Sequence, residues 1–324
     1  MAAARRAYFR THRSAKARKA YIKQQRARLK ALKHAAACTV VSSPSPPPPP
    51  PPPPSPPPGP IPAPAPGANE HFFFDTGISA ADQAEITGDV AYAVQDEAAL
   101  LGPAIASVST FVSNNPAWLA DQHCRFYGHD NDSCRQVKTM NFANGCAEGG
   151  PGAVFLNWAA SCWRYGAAQN QKIIAHELFH GFQWQLDKLF NSNGNPPSNQ
   201  VPPQGPVWLD EGAPETVGYH VAADRRLFPS YAKGIADQIA IAKTISTPLS
   251  SLQTRSQVQI PNIYTVFLLA VDHLISITPA GLPSLTTYLN ALGAGMAWQD
   301  AFRTAFGMSV DAYYVNFAAY RAGL

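Results

Sequence analysis

Seventeen prolines between residues 43 and 66, in SPSPPPPPPPPPSPPPGPIPAPAP, keep twenty-four positions out of any helix or sheet interior. The rings fix φ and remove amide donors, so the tract reads as polyproline II. At about 3.1 Å per residue it would span on the order of 70 Å as a semi-rigid spacer. It divides the 324-residue chain into a helical or disordered basic arm (1–42), a linker (43–67) and a body (68–324) that must supply any core.

Charge follows the same division. Residues 1–37 hold 12 of the 25 Lys and Arg and no acid, which leaves 13 basic against 21 acidic residues elsewhere, near −8. The arm is rich in helix formers, but its apolar residues make no continuous stripe. It suits an anionic surface such as phospholipid or an acidic wall polymer, and a solubilising extension without a partner fits equally well. The acidic body has no basic patch interleaved with aromatics, so no specific nucleic acid is expected.

No run of 18 apolar residues is present, so no transmembrane helix is expected; IYTVFLLAVDHLISI (263–277) is broken by Asp272 and His273 and reads as a core helix. No export signal is legible, since AAACTVV (35–41) is too short an apolar run. Cys124, Cys134, Cys146 and Cys162 fall within 39 residues and form no C-x-x-C pair. Three disulfide connectivities are open, with sequential pairing favoured by proximity. Together with the proline spacer, they point to an oxidising, extracellular or cell-surface location. The oligomeric state is not legible.

The body reads as α+β. A mixed sheet with helices is expected over 68–190 and an all-helical part over 191–324. Strands are expected at 71–75, 107–113 and 152–158. A helix runs from a Ser79 cap to about residue 100 with Gly102 as its stop, and a short helix covers 115–128. A helix from about 170 to 189 precedes a polar loop at 191–206. Six helices follow, at 208–222, 230–245, 262–276, 282–292, 297–306 and 309–321.

The helix at 170–189 carries KIIAHELFHGFQWQ (172–185). Residues four apart share a helix face, so His176 and His180 can aim both imidazoles at one ion. Glu177 sits about 100° around the helix, within reach of a water on that ion. A core helix with two hydrogen-bonded histidines is the competing reading. Catalytic zinc needs a third protein ligand, and VWLDEGAPETVGYH (207–220) offers Glu211. Glu215, one turn on, can accept a hydrogen bond from the far nitrogen of His176. Asp210 competes for the ligand role but lacks a carboxylate partner at i+4. His71, His123, His129 and His220 have no partner at ligand spacing.

HELFH followed by WLDEGAPE resembles the gluzincin metallopeptidases, the thermolysin-like clan of peptidase MA-like proteins, in which HExxH is completed by the first Glu of W-x-x-E-G-x-x-E. Metzincins would need Gly and His where this chain has Gln183 and Leu186. The gap between His180 and Glu211 is longer than in thermolysin-like enzymes. The resemblance implies a zincin-like fold, one Zn2+ per chain and hydrolysis of a peptide or protein substrate with Glu177 as general base. It implies a Tyr or His that stabilises the oxyanion: Tyr264 first, then His273 and Tyr219. It also implies a strand alongside the bound peptide, Gly152, Ala153, Val154 and Phe155 here. The alternative is an inactive zinc-containing binding module displayed on the proline stalk, against which the presence of Glu177 argues.

Overall fold

A parallel β–α–β unit begins the folded body. Strand β1 (Glu70–Phe74) leads into helix α1 (Ala80–Leu101) and returns through β2 (Val108–Ser113), which pairs parallel with β1. The computed structural model describes residues 59–103, 105–189 and 199–324. The basic arm, most of the proline tract and residues 190–198 of the polar loop lie outside the described residues. Those described belong to one unit, 58–324. The end of the proline tract joins it: the Ile61 amide donates to the Arg225 carbonyl at 3.0 Å, and Ile61 and Ala63 pack on the core.

Two helices then cross the outer face of the sheet, α2 (Pro116–Phe126) and α3 (Asp132–Asn144), before a hairpin of β3 (Ala147–Gly150) and β4 (Ala153–Asn157). The sheet order is β1-β2-β4-β3, with β2 parallel to β4 and β3 antiparallel to it. Side chains alternate as strand geometry requires. Val108, Val112, Val154 and Leu156 face the main core, while Phe111, Ala153 and Phe155 meet Leu119, Ala120 and Phe142 of α2 and α3. Disulfides Cys124–Cys134 and Cys146–Cys162 bind this region, the sequential pairing.

The rest is helical: α4 (Ala167–Asp187), α5 (Val207–Asp224), α6 (Tyr231–Ala242), α7 (Ile263–Ile277), α8 (Pro283–Gly293), α9 (Trp298–Phe306) and α10 (Val310–Gly323). The described chain is thus α+β, with a small mixed sheet at its front. Helix α5 is buried on nearly every side, between α4 and α7. Gly212 permits that packing, because a Cβ there would come within 2.6 Å of the Phe267 carbonyl oxygen.

One expectation about the sheet is overturned. Ala153, Val154 and Phe155 lie in β4, whose two edges are both paired, and Gly152 lies in the preceding turn. No peptide can add to that strand. Among the described residues the sheet's two edges belong to β1 and β3, and β3 is the one beside the metal-ligand helix, with β4 as its strand neighbour. Gly149 of β3 rests directly on α4, where a Cβ would meet the Glu177 carbonyl oxygen at 2.0 Å.

Candidate metal centre

Helix α4 presents His176 and His180 one turn apart, and α5 crosses it with Glu211 facing them. The Glu211 Oε2 lies 3.7 Å from His176 Nε2 and 3.6 Å from His180 Nε2. One donor atom from each of the three residues falls within 4.8 Å of the others. Donors about 2.1 Å from a tetrahedral zinc ion stand about 3.4 Å apart, so the two separations from Glu211 fit such an ion to a few tenths of an ångström.

The far sides of both rings are fixed. His176 Nδ1–H donates to Glu215 Oε2 at 3.0 Å, the partnership expected from the spacing. His180 Nδ1–H donates to Gln183 Oε1 at 2.7 Å. A carboxylate or amide oxygen can only accept, so both rings carry Nδ1–H and turn Nε2 towards Glu211. Gln183 is held in turn, because its Nε2 donates to the Asp210 carbonyl at 3.0 Å. Residue 214 is proline and has no amide to bond the carbonyl four residues back, that of Asp210. The helix-breaking residue of DEGAPE thereby leaves an acceptor open for the amide that orients His180.

Two cations balance the buried acids. Lys172, one turn before His176, lies 2.9 Å from Glu215 Oε1 and over the Tyr219 ring. Arg255, from the 3-10 turn Arg255–Gln259, pairs with Glu211 Oε1 and reaches Asp210 Oδ2 at 2.6 Å. Asp210 is thereby turned to Arg255, while Glu211 Oε2 stays directed at the histidines.

The electrostatics follow. Burial opposes charge on His176, but hydrogen bonds to Glu211 and Glu215 and the Glu177 charge lift it to about 10. Burial likewise opposes charge on His180, and Glu211 raises it nonetheless. At Glu211 burial is overcome by both histidines and Arg255, which hold the carboxyl well below its usual range. Glu215 is depressed to about 2, since the Lys172 charge and the His176 hydrogen bond outweigh its burial. Without a divalent ion, protons on the imidazoles balance these carboxylates. A divalent cation could take their place.

Tyr264, near the start of α7, donates from its hydroxyl to Glu211 Oε2 at 3.1 Å. Burial first, then the Glu211 charge, push its pKa well above the ordinary value, so it stays protonated. The two alternatives lie elsewhere. His273 bonds Asn316 at 2.7 Å and stacks on Tyr320, and Tyr219 is buried against Phe228. Glu177 is half-buried, and no described residue hydrogen-bonds its carboxylate.

A second group of metal-ligand types, His123, Cys124 and Cys134, has both sulfurs in a disulfide. His123 Nε2 instead lies 3.1 Å from Glu148 Oε1, and Lys138 pairs with the same carboxylate. Through Glu148 the edge strand is fastened to α2 and α3.

Arg255, Lys172 and Glu148 belong to no sequence motif, and Gln183 enters only as part of the stretch that carries HExxH. Lys172 could have been found, since it lies on the histidine face at i−4. Arg255 carries no motif; the signal was only that two adjacent buried acids need a cation. Compared with models of known protein families, with curated proteins and with solved structures, the chain matches none.

Proposed function

We propose that this chain is a zinc-dependent peptidase of the gluzincin type, with a zincin-like body held outside the cell on a proline-rich spacer. One observation carries this reading: Glu211 Oε2 sits 3.6–3.7 Å from two imidazole nitrogens whose opposite sides are already committed.

Zinc would be held by His176 Nε2, His180 Nε2 and Glu211 Oε2. Bound there, it supplies Lewis acidity and lowers the pKa of a water towards about 7. The chain's own groups do the remaining work. Glu177, with no hydrogen-bond partner among the described residues, takes the proton of the attacking water and hands it to the departing amine. Tyr264, kept protonated, would turn its one O–H from Glu211 Oε2 to the oxyanion that develops on the scissile carbonyl. The open edge of β3 pairs with the peptide backbone and aligns it over α4. Two disulfides favour an oxidising location, and no described helix is long and apolar enough to cross a membrane. The basic arm would then rest on an anionic surface.

Incubating the full chain with casein or a quenched-peptide pool, with and without chelator, tests the proposal. Cleavage should depend on metal; Glu177→Gln should keep zinc and lose turnover, and His180→Ala should lose zinc. Both variants cleaving as fast as the parent would refute it. A zinc-loaded parent that binds peptides without cutting them is the inactive binding module instead.

A further inference from the structure

On the outer face of the sheet, α2 and α3 meet at the second cluster of metal-ligand types. Cys124 near the end of α2 and Cys134 at the start of α3 have Cα atoms 6.1 Å apart. A ring nitrogen of His123 and both sulfurs lie within 4.8 Å of one another. The His123 ring is buried, packed against Tyr127, Phe142 and Phe155. Its tautomer is set from one side. Nε2 faces the Glu148 carboxylate, which Lys138 keeps paired and which can only accept. Nε2 therefore carries hydrogen, and the neutral ring keeps its lone pair on Nδ1. That Nδ1 is buried and has no hydrogen-bond partner among the described residues. A buried nitrogen left without a partner is costly, and two sulfurs stand beside this ring.

We propose that His123 Nδ1, Cys124 Sγ and Cys134 Sγ form a zinc site in the reduced protein, so that a metal ion joins α2 to α3 whenever the disulfide is open. The inference goes beyond the peptidase reading and does not depend on it. With the disulfide closed, the two sulfurs are spent on each other. A dithiol reductant opens it, giving two electrons and two protons to the sulfurs and becoming a disulfide itself. Zinc then releases the two thiol protons as both thiolates and Nδ1 coordinate. On a tetrahedral ion two sulfurs stand about 3.8 Å apart, and a sulfur and a nitrogen about 3.6 Å. Rotation of the cysteine side chains reaches the first separation from Cα atoms 6.1 Å apart, and the second needs no more than about an ångström of closure from the present spread. Charge fits as well, because two thiolates neutralise Zn2+ and the site takes no net charge into apolar surroundings. Soft sulfur donors favour zinc over magnesium or calcium. Cys124 is fully buried and Cys134 half-buried, so the fourth position opens to water on the Cys134 side. The exchange of one crosslink for the other keeps α2, α3 and, through Glu148, the edge strand β3 in place in either redox state.

Cobalt is the probe, because Co2+ bound by thiolate absorbs in the near ultraviolet and the group of His176, His180 and Glu211 has no sulfur. The full chain is titrated with Co2+ with its disulfides closed, and again after reduction by a phosphine, which adds no thiolate of its own. The closed form should show no such band. The reduced form should show one that vanishes when zinc, the tighter binder, is added. Cys134→Ser and His123→Phe should each weaken that binding at least about tenfold, the least that losing even a ligand's outer hydrogen bond costs. The double variant Cys146→Ser, Cys162→Ser should leave it unchanged. Thermal unfolding of the parent gives a reading that needs no variant: zinc should raise Tm more in the reduced chain than in the oxidised one, which has one group fewer to bind it. No band after reduction, a band that Cys134→Ser leaves whole, or one that the double variant removes would overturn the proposal and leave the peptidase reading standing. Absence of metal-dependent cleavage with the band intact removes the peptidase reading alone.

Discussion

Replacing Arg255 by Met should destabilise the metal-free protein strongly and the zinc-loaded protein much less. Arg255 joins Asp210 and Glu211, whose side chains are 6% and 5% exposed, and its removal leaves both carboxylates buried without that cation. Breaking a buried pair by deleting one partner destabilises by about 3–5 kcal/mol. At about 2–4 °C per kcal/mol for a chain of this size, Tm should fall by about 10 °C in chelator. Zinc changes the balance, because it pairs with Glu211 and Arg255 no longer competes for that carboxylate. At a hundredfold excess over Kd, zinc stabilises the parent by about 2.7 kcal/mol. The variant should gain more, so its zinc-induced rise in Tm exceeds the parent's. Thermal unfolding followed by circular dichroism, with EDTA and with zinc, reads both quantities. If the variant matches the parent within 2 °C in EDTA, or zinc raises both equally, Arg255 does not balance these acids as described.

Two further outcomes are expected. Gln183→Leu removes the acceptor at His180 Nδ1, and zinc affinity measured by chelator competition should fall about 10–100-fold; an unchanged affinity would mean His180 needs no such support. At Glu148, burial is outweighed by His123 and Lys138, which depress the carboxyl from 4.5 to about 2. A depressed folded-state pKa stabilises above the unfolded value and loses that effect as pH falls from 4.5 to about 2. With the side chain a third exposed, the full shift is cut to about 1–2 kcal/mol. Urea unfolding of Glu148→Gln should show that deficit at pH 7 and a narrowing one below pH 4.5, whereas a gap independent of pH would contradict the assignment.

What the letters disclosed was whatever repeats with a period or sits at a cap. Helix α1 begins after Ser79, whose side chain accepts from the Asp82 amide, and ends at Gly102, as expected. The apolar helices of the back half lie within a few residues of their expected bounds. Two elements escaped. Helix α3 buries only Phe142, so its amphipathic signal is weak, although Asn131 is an ordinary cap. Strand β3 reads Ala-Glu-Gly-Gly, a sequence of poor strand propensity; the hairpin partner, the Cys146–Cys162 disulfide and the Glu148 pairs hold it there. Without β3 in view, β4 reads as an edge strand. At the candidate site, the three candidate ligands and Glu215 are legible from i, i+4 spacing. Arg255 is not, because contacts over 44 residues are set by packing rather than by local pattern.

The proposed function requires three side chains to meet at one ion. Zinc K-edge absorption of the full chain, loaded to one equivalent, measures that directly. The expected first shell holds two imidazole nitrogens near 2.0–2.1 Å and carboxylate oxygen near 2.0–2.2 Å, and His180→Ala and Glu211→Ala should each lose one of those ligands or the metal. A shell dominated by sulfur, or one that neither variant alters, would contradict it.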